Sequence, residues 1–376
     1  MYLYLIYAGV YILLFVLFDY YWNKPLPEMA VGVYFPTVSL LIPVRNEENQ
    51  LAGLFESIHA LNYPKLQVIF TNDFSEDESI NRLEAAVSAA RAAGKDWHLL
   101  NGLQPGKKAA QTIAVRAATG EIIISTDADC RFRPEWITQL TAPFADPSIL
   151  LVAGPVMTLP ISSPTFSGFQ QIEWSSILLV TQLAFGLGKP FMCSGANMAY
   201  RRAAFLELKG YAGNTHLLSG DDEFLLKKIL RKYGAEATRY LPQGEVLVMT
   251  AAQENWSQLF TQRARWASKW TAHKSFSHLI IALVPFVMQL LFILSPWLLF
   301  HGQTGAFIFL LFWAAKIWVE RWVVGSLLTG FDLKLTIWAF VTTSFIHPLY
   351  ALGTAINVVK SDWEWKGRRQ STPPKL

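Results

Sequence analysis

Cysteine is scarce: Cys130 and Cys193 are the only two in 376 residues, far apart and outside any CxxC or Cys/His spacing. That excludes a disulfide framework and a thiolate zinc site. Charge is scarce too, with Asp, Glu, Lys and Arg making up 16% of the chain against 52% hydrophobic residues and a mean hydropathy of +0.27. Soluble domains carry about a quarter charged residues, so part of this chain must sit in lipid. No strong excess of one sign is present: a net charge of +4 is too mild and too spread out to favour nucleic acid over a membrane surface or a phosphorylated ligand. Internal repeats and long low-complexity segments are lacking as well, and the length suits one large domain or two ordinary ones.

What is present falls into two textures. Residues 2–18, YLYLIYAGVYILLFVLF, hold no charge for about 17 positions, the short end of a bilayer-spanning length. No Lys or Arg precedes the run and no small-residue cleavage site comes after it; it ends in Asp19, Tyr20, Tyr21 and Trp22, which marks a retained membrane helix over 1–22 rather than a signal peptide. Positive charge begins only at Lys24 and Arg45, placing the N-terminus outside and the segment after the helix in the cytoplasm. Three further apolar runs, near 279–300, 306–328 and 335–358, predict about three membrane helices within 278–360. The middle run carries Lys316, Glu320 and Arg321, which are costly in hydrocarbon and are expected to face a partner helix or cavity. The tail 361–376 is basic and suits the cytoplasm, whereas three crossings after a cytoplasmic domain would end outside; the helix count and the side of the tail pull against each other.

Between them, residues 36–255 read as an α/β domain with a mainly parallel sheet. Strands are expected at 37–43, 66–73 and 120–129, with helices over 48–60, 77–93 and 107–118. Active sites of such sheets lie at the carboxyl ends of strands. Polar residues cluster just there: Arg45, Asn46 and Glu47, then Asn72 and Asp73, then Asp127 and Asp129. In EIIISTDADC the aliphatic run suits a strand buried on both faces, and Asp127 and Asp129, two apart, point the same way at its end. Two such carboxylates suit a hard divalent cation that leaves positions for phosphate oxygens; a polar turn capping the next helix is the plainer alternative. Asp73 and Glu47 suit a base or ribose, or merely a turn and a helix start, and Lys107 beside Gly106 suits a phosphate. Asp221, Asp222 and Glu223 open an amphipathic helix, where three acids also suit the helix dipole. The stretch 166–188 carries Gln170, Gln171 and Glu173 among apolar residues and reads as a surface-lying segment, and 256–277, with TQRARWASKW, as an amphipathic interfacial one.

LIPVRNEENQL, TNDFSEDES, GKKAAQTIAVRAATGEIIISTDADC, SGANMAYRR, SGDDEF and QRARW occur in the order and spacing of the family 2 inverting glycosyltransferases. The resemblance covers roughly residues 37–270 and is greatest to membrane-bound members with a QxxRW signature, which include cellulose and hyaluronan synthases and ceramide glucosyltransferases. It implies a GT-A (Rossmann-like) α/β fold flanked by transmembrane helices, a nucleotide-sugar donor, usually a UDP-sugar, and Mg²⁺ or Mn²⁺ held by Asp129 with Asp127. Asp73 and Glu47 match uridine contacts and Lys107 the diphosphate-side lysine, with Pro43 and Arg45 grouped on the donor side. Asp222 matches the catalytic base, and Asp221 supports it. Gly195, Asn197, Gln262, Arg265 and Trp266 match the acceptor and diphosphate side. Asn72 departs from the Asp more usual there, and Thr112 from an Asn. With only about three membrane helices after the domain, a lipid acceptor is favoured; a processive polysaccharide synthase with export subunits, and a nucleotide-sugar-binding membrane protein without turnover, are the rivals. The expected location is a bacterial inner membrane, with the domain in the cytoplasm and no nucleic-acid partner.

Overall fold

Three consecutive isoleucines, Ile122, Ile123 and Ile124, are each 0% exposed, and they set the pattern for the sheet around them. Burying each such side chain stabilises by about 1.5–3 kcal/mol, so a strand of this kind has no exposed face to offer. A computed structural model describes residues 1–25, 34–213, 220–267 and 287–360, with two short strands after them. It divides into one unit of Met1–Asn23, Thr158–Leu179 and Ala252–Leu376 and another of Lys24–Met157 and Val180–Ala251.

The second unit holds the sheet. Its first half runs β1 (Val38–Val44), α2 (Leu51–His59), β2 (Leu66–Asn72), α3 (Ser79–Ala92), β3 (Asp96–Asn101), α4 (Lys107–Ala117) and β4 (Ile122–Ser125), α1 (Tyr2–Trp22) belonging to the other unit. These strands are parallel, in register Val38 to Leu66 and to Ile122, and Gln67 to Asp96. After β5 (Arg131–Phe132) and α5 (Trp136–Thr141) come β6 (Leu151–Ala153), β7 (Val156–Thr158), β8 (Met198–Arg201), α7 (Arg202–Glu207), α8 (Asp221–Tyr233), β9 (Thr238–Tyr240) and β10 (Val248–Thr250), with α6 (Pro164–Gly186) before β8. The seven-stranded sheet has the order β3-β2-β1-β4-β8-β6-β9, and a smaller sheet has the order β5-β10-β7. Since β8 is antiparallel to both β4 and β6, the sheet is mixed, where the periodicity predicted a mainly parallel one. Strand order reverses between β1 and β4, the switch point at which open α/β sheets bind ligands. Pro43 sits in β1 without an N–H to give, which is tolerated because the β1–β4 pairing stops at Leu41 and Ser125. β3 was not expected: Asp96 and His98 break the apolar alternation, and edge position rather than sequence makes it a strand.

In the first unit three helices are long and apolar enough to cross a membrane among the described residues: Tyr2–Trp22, Val287–Gly330 and Ile337–Asn357. The expected run at 279–300 lies partly outside the described residues; its described part ends in a 3₁₀ turn, Ser295–His301, continuous with α10 (Gly302–Gly330). The next helix is α11 (Ile337–Lys360). Tyr7 and Tyr11 of α1 pack edge-on to Phe292, and Phe292 stacks on Phe312 of α10 with centroids 4.4 Å apart. Lys316 and Glu320 pair one turn apart and are buried, the expected inward orientation. The Tyr11 hydroxyl donates to Glu320 Oε1 at 2.6 Å and Ser344 Oγ to Oε2 at 2.8 Å, so the carboxylate ties three helices together. Arg321 departs from the expectation and faces outward.

The surface-lying reading of 166–188 needs correction. Gln170 is 0% exposed and exchanges hydrogen bonds with the Gln253 backbone, while Gln171 donates to the Thr158 carbonyl. Glu173 is paired bidentately by Arg263 of α9 (Trp256–Ala267), at 2.9 and 2.5 Å. The polar residues that suggested a wet face are internal brackets, each with its partner supplied.

Candidate active site

Residues at the carboxyl ends of β1 and β2 first build a rigid rim. The Arg45 guanidinium donates to the Asp73 and Phe74 carbonyls at 3.1 and 2.5 Å and reaches Glu76 at 3.3 Å. Asn46 and Phe74 both take positive φ, 50° and 57°, which costs a non-glycine residue about 1 kcal/mol or more and persists only where neighbours enforce it. The enforcing bonds are Asn46 Oδ1 accepting from Glu76 N, Ser75 Oγ accepting from Asn46 N, and Ser79 Oγ accepting from Glu47 N at 2.8 Å. Arg45 therefore holds the 73–76 turn and with it the position of Asp73. Asp73, 2% exposed, accepts from the Gly106 N–H at 2.8 Å, which fixes the loop that begins α4. The two departures are absorbed in the same way: Asn72 accepts from Ser75 N and donates to Asn101, and the Thr112 hydroxyl donates back to the Lys108 carbonyl.

Next to this rim the acidic residues converge. Lys107, the first residue of α4, places Nζ 2.6 Å from Asp127 Oδ1 and 3.3 Å from Asp221 Oδ2. Burial works against its charge, but the carboxylates of Asp127, Asp221 and Asp222 outweigh it and hold the ammonium well above the usual lysine range. Asp222 opens α8 and accepts from its own helix at Glu223 N, 2.7 Å, and from Gly195 N, 3.0 Å. A Cβ at Gly195 would stand 2.8 Å from Asp221 Oδ2, so a larger residue there would displace that carboxylate. The Gly195 carbonyl accepts from Ser125 Oγ at 2.7 Å, so the end of β4 anchors the loop whose Gly195 N–H holds Asp222. Asp129 accepts from Thr250 Oγ1 at 2.9 Å and remains half-buried. Thr250 was missed because it closes β10 far along the chain, with no charged or glycine neighbour to mark it.

One expectation is corrected by geometry. Asn197, anticipated as an acceptor contact, is 0% exposed; its amide donates to the Pro155 and Val246 carbonyls at 2.8 and 2.7 Å and accepts from the Trp136 indole at 3.0 Å. Fully buried, the side chain presents no surface to a ligand and instead braces three segments. Asn197→Ala would strand all three partners, and we expect a loss of about 3–5 kcal/mol, read as a lower denaturation midpoint in urea. Gln262, Arg265 and Trp266 lie on α9 in the other unit; there Trp266 packs edge-on to Trp174, 5.1 Å between centroids, and the Arg263 guanidinium lies 4.4 Å from the Trp266 ring. Arg263, not singled out in the sequence, is thus the arginine that fixes the tryptophan.

The residues could hold a divalent ion only jointly with a ligand. No cluster of three or more His, Cys, Asp or Glu suited to a metal occurs among the described residues, and Lys107 already neutralises Asp127. Asp129 offers a hard oxygen pair at the strand end, which fits an ion that keeps most of its positions for water and phosphate.

An α/β unit with a mixed sheet, acidic strand ends at the switch point and flanking apolar helices is the GT-A-like glycosyltransferase fold. The mannosyltransferase PcManGT from Pyrobaculum calidifontis, solved with GDP-Man and Mn²⁺, superposes with a TM-score of 0.55 over 95% of both chains at 16% identity. Residues 39–209 match the model of the family described as Glycosyl transferase family 2. An N-acetylglucosaminyltransferase of Bradyrhizobium diazoefficiens is 25% identical over 244 residues, 62% of this chain and 49% of that protein. Glycosyltransferase AglE of Haloferax volcanii is 24% identical over 196 residues, 51% of this chain and 61% of its own. The match spans about half to three-fifths of these curated relatives' length.

Proposed function

We propose that this chain is a membrane-integrated inverting glycosyltransferase that moves a sugar from a nucleotide diphosphate donor to a hydroxyl of a lipid acceptor. The observation that carries the reading is the Lys107 ammonium bridging Asp127 and Asp221, beside Asp222, at the switch point of the sheet. Asp222, held by two backbone N–H groups, takes the proton of the acceptor hydroxyl as its oxygen attacks the anomeric carbon. The bond from that carbon to the diphosphate breaks on the opposite face, and Lys107 meets the negative charge that develops there. Asp73 and Glu47 receive the nucleoside. Mg²⁺ or Mn²⁺ at Asp129 and Asp127 would add charge neutralisation on the diphosphate. Gln262, Arg265 and Trp266 serve the acceptor side, and the catalytic unit faces the cytoplasm from the inner membrane.

Release of nucleoside diphosphate by detergent-purified protein tests this. UDP-GlcNAc comes first, because the bacterial relatives are named for N-acetylglucosaminyl transfer, then other UDP-sugars and GDP-Man, each with Mn²⁺ or Mg²⁺ and with or without lipid extract. Turnover that depends on metal and rises severalfold with lipid is expected. A polymer made without lipid would replace the acceptor by a growing glycan, and saturable donor binding with no release would replace the enzyme by a binding protein.

A further inference from the structure

Arg321 is the charge on α10 that the fold leaves outside. Its neighbours Lys316 and Glu320 turn inward and are 1% and 8% exposed, whereas Arg321 is exposed and, among the described residues, meets only the face of Phe340, 5.5 Å from the ring centroid. It stands in a groove of about 760 Å³ between α10 and the start of α11. Trp318 and Trp322, 61% and 43% exposed with rings 5.7 Å apart, form one wall, and Ile337 contributes to the other. Gly325 leaves the floor open beside the guanidinium, Ser326 adds a hydroxyl, and the Thr329 hydroxyl is turned inward onto the Gly325 carbonyl.

An arginine on the lipid-facing side of a spanning helix costs about 2.5–3.5 kcal/mol on insertion scales unless an anion meets it. The surroundings say which anion. A free phosphate or a nucleotide does not enter hydrocarbon, and the walls are apolar and aromatic. A phospholipid brings the charge and the chains together. Arg321 precedes the end of α10 by nine residues, about 14 Å of helix, at the end where Phe331 meets Trp22 of α1. A long side chain covers part of that depth toward the headgroups, and local thinning of the bilayer around an arginine covers the rest.

We propose that this groove binds one anionic phospholipid of the bilayer, its phosphate on the Arg321 guanidinium and Ser326 hydroxyl and an acyl chain along Trp318. Charge complementarity selects the headgroup, and a guanidinium favours phosphate because its planar fork donates two parallel hydrogen bonds. The inference rests on the membrane placement of the helices and not on sugar transfer.

Native mass spectrometry of the full chain, released from detergent containing equal phosphatidylglycerol and phosphatidylcholine, tests it. The unsubstituted protein should retain one phosphatidylglycerol with a preference of roughly tenfold, the size of one charge-assisted pair. Arg321→Gln should lose that preference, Ser326→Ala should lose part of it, and Arg321→Lys, which keeps the charge, should hold most of it and guards against misfolding. Equal retention of the two lipids, or an undiminished preference in Arg321→Gln, would overturn the proposal. Stronger retention of a polyprenyl phosphate than of phosphatidylglycerol would overturn the assignment to a bilayer lipid. Recovery of the chain from the aqueous fraction without detergent would instead remove the membrane placement on which the site depends.

Discussion

Asp222→Asn should lower the rate of the proposed sugar transfer by about three orders of magnitude, within the 10²–10⁴ that a positioned general base supplies, and should leave donor affinity nearly unchanged. The substitution keeps the shape and removes only the capacity to take a proton. One cost is foreseeable: the carboxylate accepts from both Gly195 N and Glu223 N, and an amide can present its oxygen to only one of them. The lost bond destabilises by about 1 kcal/mol, small enough for the variant to fold. Single-turnover transfer and donor binding are measured on the same preparation, so a folding defect would appear in both and a missing base only in the first. Transfer within tenfold of the unsubstituted protein would remove Asp222 from the role and leave Asp221 or Asp127 to be tried.

How far the sequence disclosed this arrangement depends on what each residue answers to. β1, β2 and β4 were legible because their aliphatic runs are buried on both faces, and the acids at their ends stand out against that background. Asp221 and Asp222 are next to one another in the chain, so their meeting at one helix start needed no knowledge of tertiary structure. β3 and β8 were harder, since β3 is an edge strand with charged residues, and β8 is antiparallel and only four residues long. Asn197 misled because a polar residue in a glycine-containing loop looks the same whether it faces a ligand or three buried backbone and indole groups. Thr250 and the inward Gln170, Gln171 and Glu173 show the same limit: only long-range packing decides whether a polar side chain is wet.

Lys107→Met should reduce turnover by about 10²–10³ and weaken nucleotide diphosphate binding with it, the scale of removing one preorganised group aimed at developing charge. The variant replaces an ammonium by an apolar chain of similar length and leaves Asp127, Asp221 and Asp222 facing one another without their shared cation. Coulomb repulsion among partly buried carboxylates then opposes the approach of a diphosphate that the lysine would otherwise have drawn in. Isothermal titration with UDP at two salt concentrations measures this: in the unsubstituted protein affinity falls with added salt, and in Lys107→Met it is lower and less salt-dependent. The sign of the lysine's own titration makes the assay range safe. Its folded-state value is raised, so its contribution to stability is fully present below the ordinary lysine value, about 10.4, and is lost only as pH rises through the folded one; between pH 6 and 9, roughly, Lys107 stays charged. Any pH dependence of transfer in that window therefore belongs to other groups. Affinity and turnover both within threefold of the unsubstituted protein would mean that Lys107 only neutralises Asp127 and Asp221, and that the diphosphate is held elsewhere.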